Sequence, residues 1–249
     1  MTRLKVENLT KRFGNLVAVA DISMVVEPGE IRAVIGPNGA GKTTFFNMIS
    51  GFLTPTTGRI LFENRDISQV APSQRVKLGM ARTFQITEVF PELSVRENLQ
   101  IAVEAALGYG LSVRMSEDAA EEVHAEVSEL LGLSGLTDKA DRFVGELSHG
   151  DQRTTEIMMA LALKPRLLLL DEPTAGMGDQ ETFDIAKLIR KLHRQQGLSI
   201  VLIEHDMRIV FNLADRIMVL AEGRMLAEGT PKEIAANEAV QKAYLGTAG

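Results

Sequence analysis

Residues 36–44 read Gly36-Pro37-Asn38-Gly39-Ala40-Gly41-Lys42-Thr43-Thr44, which fits the phosphate-binding loop pattern G-x-x-x-x-G-K-[ST]. An apolar run over residues 31–35 precedes this loop and a helix-like run follows it, so the loop joins a strand to a helix. Its small residues allow the backbone N–H groups to curl around a phosphate, and the helix N-terminus adds partial positive charge there. The sequence therefore predicts a nucleoside triphosphate site that involves all nine residues.

Two side chains of the loop have specific expected roles. Lys42 is expected to reach the β- and γ-phosphates, and the Thr43 hydroxyl is expected to coordinate Mg²⁺. A glycine-rich turn that binds nothing is the alternative interpretation, and the apolar runs on both sides of the loop argue against it.

The composition narrows the class of protein. The chain of 249 residues is long enough to bury a full core, and it has no cysteine for a disulfide or a thiolate metal site. A net charge of −6 argues against a nucleic-acid partner. No apolar run reaches the ~20 residues of a membrane helix, and the N-terminus lacks a signal-peptide core, so we expect a cytoplasmic protein.

The pattern along the chain predicts an α/β fold with an inserted helical region. Strands are expected over residues 4–9, 17–20, 22–27, 31–35, 59–63, 80–84, 167–170, 198–204 and 216–221. Between residues 86 and 163 the pattern is mostly helical, with a capping box at Ser94 and Glu97 and a helix end at Gly132. The later strands alternate with helices, which indicates parallel strands with crossover connections. We predict one domain over residues 1–249, in which a nucleotide-binding lobe (1–85 and 164–249) is interrupted by a helical lobe (86–163).

A second group of candidate residues follows the apolar strands. Asp171 and Glu172 end the run 167–170; Asp171 is expected to orient Mg²⁺, and Glu172 to accept a proton from the attacking water. His205 follows a second strand and is expected to contact the γ-phosphate and hold the water. Gln85, where the helical region begins, is a candidate ligand of Mg²⁺ or of the water. Acidic residues that merely cap a surface strand are the alternative, which the phosphate loop makes less attractive.

Three further residues are candidate nucleotide contacts. Phe13 either stacks on the adenine or belongs to the core, and the sequence leaves both readings open. Ser148 is a good helix N-cap and Gly150 exposes backbone N–H groups at a helix start, which suits an anion. Because the first phosphate loop is already complete, this second anion site would serve the nucleotide of another subunit; an ordinary capped helix is the alternative.

Taken together, these residues resemble the ATP-binding subunits of ABC transporters. The order is Phe13, the loop 36–44, Gln85, the signature segment 147–152, Asp171 with Glu172, and then His205. The resemblance spans nearly the whole chain and implies a phosphate-loop fold with a mixed core sheet, an antiparallel β region and the inserted helical lobe. It further implies an ATPase that uses ATP and Mg²⁺, in which Ser148 and Gly150 of one subunit face the γ-phosphate held by the other.

Several short sequence segments are similar to those of branched-chain amino acid importers, namely residues 81–85, 175–177, 203–207 and 243–246. This resemblance implies the first of two non-identical ATPase subunits, which powers import of branched-chain or other hydrophobic amino acids from the inner face of the cell membrane. Its partners would be integral-membrane permease subunits, a second ATPase subunit and, indirectly, an external substrate-binding protein. A urea or amide importer, a non-transport regulatory ATPase of the same family and a small-molecule kinase are the alternatives.

Two places depart from the family's pattern. The signature usually has Gly where His149 stands and Gln where Asp151 stands, and Asp151 would repel a phosphate that came too close. The loop after Glu172 usually ends in Asp, whereas the aligned position here is Gly178 and Asp179 comes one residue later. We expect altered communication between subunits through that loop.

Overall fold

A computed structural model describes residues 2–83, 89–109 and 116–245. Within these ranges the strands are β1 (Leu4–Phe13), β2 (Leu16–Val26), β3 (Ile31–Ile35), β4 (Thr57–Phe62), β5 (Arg65–Asp66), β6 (Met80–Arg82), β7 (Leu167–Asp171), β8 (Ser199–Ile203), β9 (Arg216–Ala221) and β10 (Arg224–Gly229). The helices are α1 (Lys42–Ser50), α2 (Pro72–Lys77), α3 (Val95–Leu107), α4 (Glu117–Ser134), α5 (His149–Ala162), α6 (Asp179–Gln196), α7 (Met207–Leu213), α8 (Pro231–Ala235) and α9 (Glu238–Leu245).

Two sheets organise the protein. A four-stranded antiparallel sheet has the order β2-β1-β4-β5, and a six-stranded sheet has the order β10-β9-β3-β8-β7-β6. In the larger sheet all neighbours are parallel except β10, which runs antiparallel to β9. The expected parallel strands and the separate antiparallel region are therefore both present.

The larger sheet is buried on both faces, as expected from its continuous apolar strands. Every residue of β3, β7 and β8 is buried. Alternate side chains separate into two cores because successive residues of a strand point to opposite faces. Val34, Leu169 and Val201 pack with α1 and the antiparallel sheet, whereas Ala33, Leu168 and Leu202 pack with the helices α3 to α7.

The carboxyl ends of four parallel strands meet at one edge of the larger sheet. The register pairs Val34 with Ile203, Ile35 with Val219, and Asp171 with Ile203. The chain segments that follow β3, β7, β8 and β9 therefore start side by side. In open α/β sheets this edge is where ligands bind.

Local capping residues set several helix ends, and the capping box predicted at Ser94 and Glu97 is among them. Ser94 and Glu97 form the capping box of α3, and Thr230 and Glu233 form another at α8. Gly51 ends α1 in the left-handed conformation.

Two local predictions were wrong, and strand β10 was missed. Helix α4 continues through Gly132 to Ser134 and ends at Gly135, which has a φ of 74°; a glycine inside a helix costs only about 1 kcal/mol relative to alanine, so tertiary packing overrides it. The expected break near Asp21 is instead a single irregular residue (φ 56°) within the continuous strand β2. Strand β10 was not predicted, because its mostly exposed residues show no apolar run.

None of the helices in residues 2–83, 89–109 and 116–245 combines the length and the apolar composition needed to cross a membrane. Helices α3, α4 and α5 lie between β6 and β7 in the chain, as the expected helical insertion requires. The division into a nucleotide-binding lobe (1–85 and 164–249) and a helical lobe (86–163) stays a prediction.

Candidate functional site

The phosphate loop connects β3 to α1 and needs glycine at both of its ends. Gly41 has a φ of 94°, and a Cβ atom there would lie 2.5 Å from the Ala18 carbonyl oxygen. A Cβ atom on Gly36 would lie 2.1 Å from the carbonyl oxygen of Leu220. Any side chain at either position would push the loop away from its neighbours, so the two glycines are required by close approach of backbone as well as by conformation.

Lys42 folds back over the loop. Its Nζ atom donates hydrogen bonds to the carbonyl oxygens of Gly36 (2.7 Å) and Pro37 (3.0 Å). Burial lowers the pKa of the Lys42 ammonium, while the nearby carboxylates of Glu172 and Asp171 act in the opposite direction. The loop thus encloses a buried ammonium that is hydrogen-bonded to neutral carbonyl oxygens, a setting that favours an anionic ligand.

A cavity of about 480 Å³ opens beside the loop, which is within the usual size of small-ligand sites. It is lined by residues 38–44 of the loop, by Leu16, Val17 and Ala18 of β2, and by Glu172, His205, Glu222 and Gly223. The predicted loop residues, Glu172 and His205 are thus brought to one place. Phe13 is not among the lining residues; its ring is 47% exposed, 5.2 Å from the Nζ atom of Lys11, and its stacking on adenine stays a prediction.

Glu172 and His205 are in direct contact. The Nε2 atom of His205 lies 2.9 Å from the Oε1 atom of Glu172. The backbone of Glu172 has a φ of 46°, and its N–H donates to the Ile203 carbonyl oxygen at 3.0 Å. Positive φ at a non-glycine residue costs roughly 1–3 kcal/mol and is typical of functional sites. The carboxylate is therefore held in a strained, defined position beside the phosphate loop.

Glu204 is a residue that the sequence reasoning missed. Its buried carboxylate accepts hydrogen bonds from the Thr174 N–H (3.0 Å) and hydroxyl (2.6 Å), and from the backbone N–H groups of His205 (2.9 Å) and Asp206 (3.4 Å). One side chain thus links the loop after Glu172 to the loop that carries His205. A carboxylate directly after an apolar strand and before the histidine was the signal available in the sequence.

Arg82 is a second missed residue. Its Nη2 atom donates to the Oδ2 atom of Asp171 at 2.8 Å, and its Nη1 atom donates to Asn47 and Ser50 of α1. The side chains of Arg82 and Asp171 are 9% and 6% exposed. Arg153 of α5 also donates to the Asp171 carbonyl oxygen at 2.7 Å. Asp171 is therefore fixed by a buried arginine and tied to the start of α5.

We expect Arg82→Ala to lower the free energy of unfolding by about 3 kcal/mol, because it leaves a buried carboxylate without its ion pair. Urea denaturation measures this change. Arg59→Ala is the matched control, since the Arg59 side chain is 65% exposed in its pair with Glu7, and exposed pairs contribute less than about 1 kcal/mol. Equal losses for the two variants would contradict a structural role for the Arg82–Asp171 pair.

The signature segment lies at the start of α5. Ser148 is the N-cap as predicted, and its hydroxyl accepts the Asp151 N–H. The charge of Asp151 is compensated, because the Nζ atom of Lys139 lies 2.5 Å from its Oδ2 atom. Neither Ser148 nor Gly150 lines the cavity beside the phosphate loop of the same chain.

The loop after Glu172 ends at Gly178, the N-cap of α6. The carboxylate of Asp179, the first residue of α6, pairs with Arg208 at 2.8 Å, and Arg208 also pairs with Asp206. Both contacts involve the exposed side chain of Arg208, three residues after His205 in the chain. Gln85, the remaining predicted site residue, lies outside the described residues.

Residues 19–175 match the family model described as ABC transporter. The chain therefore belongs to the ABC transporter family and is one of its ATP-hydrolysing subunits. Residues 224–249 match a second, narrower model, described as branched-chain amino acid ATP-binding cassette transporter.

Individual relatives agree with both matches. The high-affinity branched-chain amino acid transport ATP-binding protein BraF of Pseudomonas aeruginosa is 40% identical over 253 residues, covering 98% of each chain. A solved structure of the ADP conformation of an ABC-transporter ATP-binding cassette has a TM-score of 0.87, with 32% identity over 99% of both chains. A dimeric ATP-binding cassette bound to ADP and Pi has a TM-score of 0.76, with 26% identity over 92% of this chain and 98% of that one. The predicted fold class, family resemblance and ATPase activity are confirmed.

Proposed function

We propose that this chain powers the import of branched-chain or other hydrophobic amino acids through partner membrane subunits. The main observation in support of ATP hydrolysis is the contact of 2.9 Å between Glu172 and His205, beside the phosphate loop. The substrate class is supported by the similarity to BraF and by the family match of residues 224–249.

The nucleotide would lie in the cavity beside the loop. Backbone N–H groups of residues 36–44 and the N-terminus of α1 would hold its phosphates. Lys42 would exchange its bonds to the Gly36 and Pro37 carbonyl oxygens for the β- and γ-phosphates. This exchange is favourable because the buried ammonium would gain a full negative charge in place of two neutral acceptors.

The described donors fit Mg²⁺, which prefers hard oxygen ligands and shares them with substrate phosphates. Thr43 lines the cavity, and Asp171 is the last residue of β7. These two residues would hold the ion together with Gln85, and the ion would neutralise charge on the phosphates. Arg82 would keep Asp171 aimed toward it.

Glu172 would accept the proton of the attacking water, and His205 would hold both this carboxylate and the γ-phosphate. A general base must stay within hydrogen-bond reach of its proton, which requires a fixed side chain. Glu204 supports that requirement, because it joins the two loops that carry Glu172 and His205.

Ser148 and Gly150 would contact the γ-phosphate of a second ATPase subunit. Both lie outside the cavity of their own chain, while the N-terminus of α5 offers donors for an anion. A similar ATP-binding cassette has been solved as a dimer with ADP and Pi. Compensation of Asp151 by Lys139 removes the repulsion that the sequence suggested.

The chain would act on the inner face of the cell membrane as a peripheral subunit. Residues 86–163 would form the helical lobe that docks on the permease subunits, near the exposed ring of Phe90. A second ATPase would complete the pair, and an external binding protein would deliver the substrate. No nucleic-acid partner is expected.

A pull-down tests this function. We expect tagged Glu172→Gln, isolated from its native membranes in mild detergent with Mg-ATP, to bring down two multi-span proteins and a second ATPase. The same preparation without nucleotide is the control for ATP-dependent pairing. Recovery of soluble partners alone, or of none, would reject the transport function, and the binding protein associated with the complex would identify the substrate.

A further inference from the structure

The signature segment already holds an anion of its own chain. The backbone N–H of Gly150, in the first turn of α5, donates to the Oε1 atom of Glu181 at 3.1 Å. Glu181 lies in the first turn of α6, so its carboxylate reaches across from one helix N-terminus to another. The Gly150 amide, one of the donors proposed to receive a partner's phosphate, is therefore occupied in the isolated chain.

The contact is tight and charged. A Cβ atom placed on Gly150 would lie 3.2 Å from both the Cβ and Oε1 atoms of Glu181, closer than side chains normally approach. Hydrogen bonds from the Gly150 amide first, then from the Ser148 hydroxyl and the Gly178 amide, hold the pKa of the Glu181 carboxyl below its usual range. Glu181 is therefore an ionised carboxylate at neutral pH, and it occupies the Gly150 amide at the start of the signature helix.

We propose that Glu181 is a placeholder for the γ-phosphate: its carboxylate holds the signature donors in position until the nucleotide of the partner subunit displaces it. Glu181 would thereby set the ATP concentration at which the pair of subunits closes. This inference rests on the proposed contact of Ser148 and Gly150 with that nucleotide.

Displacement is chemically reasonable for three reasons. A γ-phosphate carries more charge than a carboxylate and has three acceptor oxygens, so it competes well at a helix N-terminus. Asp151, the other carboxylate of this turn, is neutralised by Lys139 and does not oppose the incoming phosphate. Glu181 also keeps a partner when it leaves Gly150, because the Gly178 amide at the start of its own helix remains within its reach.

The test uses the transporter complex that co-purifies with this chain, with its wild-type Glu172, and measures ATP hydrolysis against ATP concentration. Glu181→Gln keeps the length of the side chain and an acceptor for Gly150, and removes the competing charge. We expect the half-saturating ATP concentration to fall about three- to fivefold, with the maximal rate unchanged or higher. If Glu181 only stabilised the fold, Glu181→Gln would instead loosen the signature segment and raise the half-saturating ATP concentration.

Two further variants separate the possible failures. Asp184→Asn removes an equal charge one turn further along α6, from an exposed carboxylate paired with Lys187, and should leave the ATP dependence unchanged. Ser148→Arg should stop hydrolysis without weakening ATP binding, because it blocks the partner's site. If Ser148→Arg hydrolyses normally, the contact in trans is wrong. If Ser148→Arg is inactive but Glu181→Gln leaves the half-saturating concentration unchanged or raises it, the placeholder alone is wrong.

Discussion

Glu172→Gln is expected to lower ATP turnover by about 10²- to 10⁴-fold while ATP binding stays at the wild-type level. The amide has nearly the shape of the carboxylate and can still hydrogen-bond to His205, which lies 2.9 Å away. It cannot accept a proton from water. Hydrolysis therefore stops at the chemical step, and the ATP-bound state accumulates. Single-turnover hydrolysis and equilibrium ATP titration measure the two quantities separately.

The backbone of Glu172 makes this variant a clean test. Its φ of 46° is unfavourable for Glu and Gln alike, so we expect the two proteins to unfold at the same urea concentration. Glu222→Gln is a useful comparison, since Glu222 is a second carboxylate in the lining of the same cavity. It should retain most of the turnover. Loss of activity in both variants would indicate that the charge of the cavity matters rather than one base.

Short-range signals in the sequence were sufficient to predict the central part of this site. The loop 36–44 lies between β3 and α1 because its glycines, the apolar run before it and the helix after it are consecutive in the chain. The N-cap role of Ser148 and the end of α1 at Gly51 rest on equally local chemistry. These features depend on residues close by in the chain, so hydrophobic periodicity and capping rules predict them.

The contacts that support the site could not be predicted from the sequence, because they join residues far apart in the chain. Arg82 and Asp171 are 89 positions apart, and Glu204 is 30 positions from Thr174. The sequence places Asp171 and Glu204 at the ends of strands and Arg82 within one, but the order of strands in the sheet decides which residues become neighbours. The contact between Gly150 and Glu181 depends likewise on how α5 and α6 lie against each other. The sequence pattern predicts the helices and strands, whereas tertiary packing determines which residues contact each other.

Errors in the local predictions have the same origin. Gly132 was taken as a helix end, but Leu131 before it is buried in the core and Leu133 after it packs against the same core, which keeps the helix continuous. Strand β10 forms because β9 offers an unpaired edge, and backbone hydrogen bonds to β9 do not require an apolar pattern in β10. Intrinsic preference is overridden wherever tertiary contacts supply more free energy than it does.

Lys42→Ala is expected to weaken ATP binding by about 10- to 100-fold, the range that loss of a charged hydrogen-bond donor to phosphate gives. In the described structure Lys42 donates to the Gly36 and Pro37 carbonyl oxygens, so the variant loses the ammonium and leaves those carbonyls to water. Burial disfavours the charged form of Lys42, and removing that cost limits the effect on folding. Equilibrium titration with ATP measures the affinity, and urea denaturation shows whether the loop still folds.

Two further variants test whether the loss of ATP affinity in Lys42→Ala comes from the lost contact with the phosphates. Lys187→Ala removes an exposed ammonium that pairs with Asp184, and it should leave the ATP affinity unchanged. Lys42→Arg keeps the charge, but its planar guanidinium is larger than the compact ammonium that the loop encloses, so binding should fall with it as well. Wild-type affinity in Lys42→Ala would show that the backbone N–H groups of the loop alone hold the nucleotide, with the lysine acting only to close the loop in its absence.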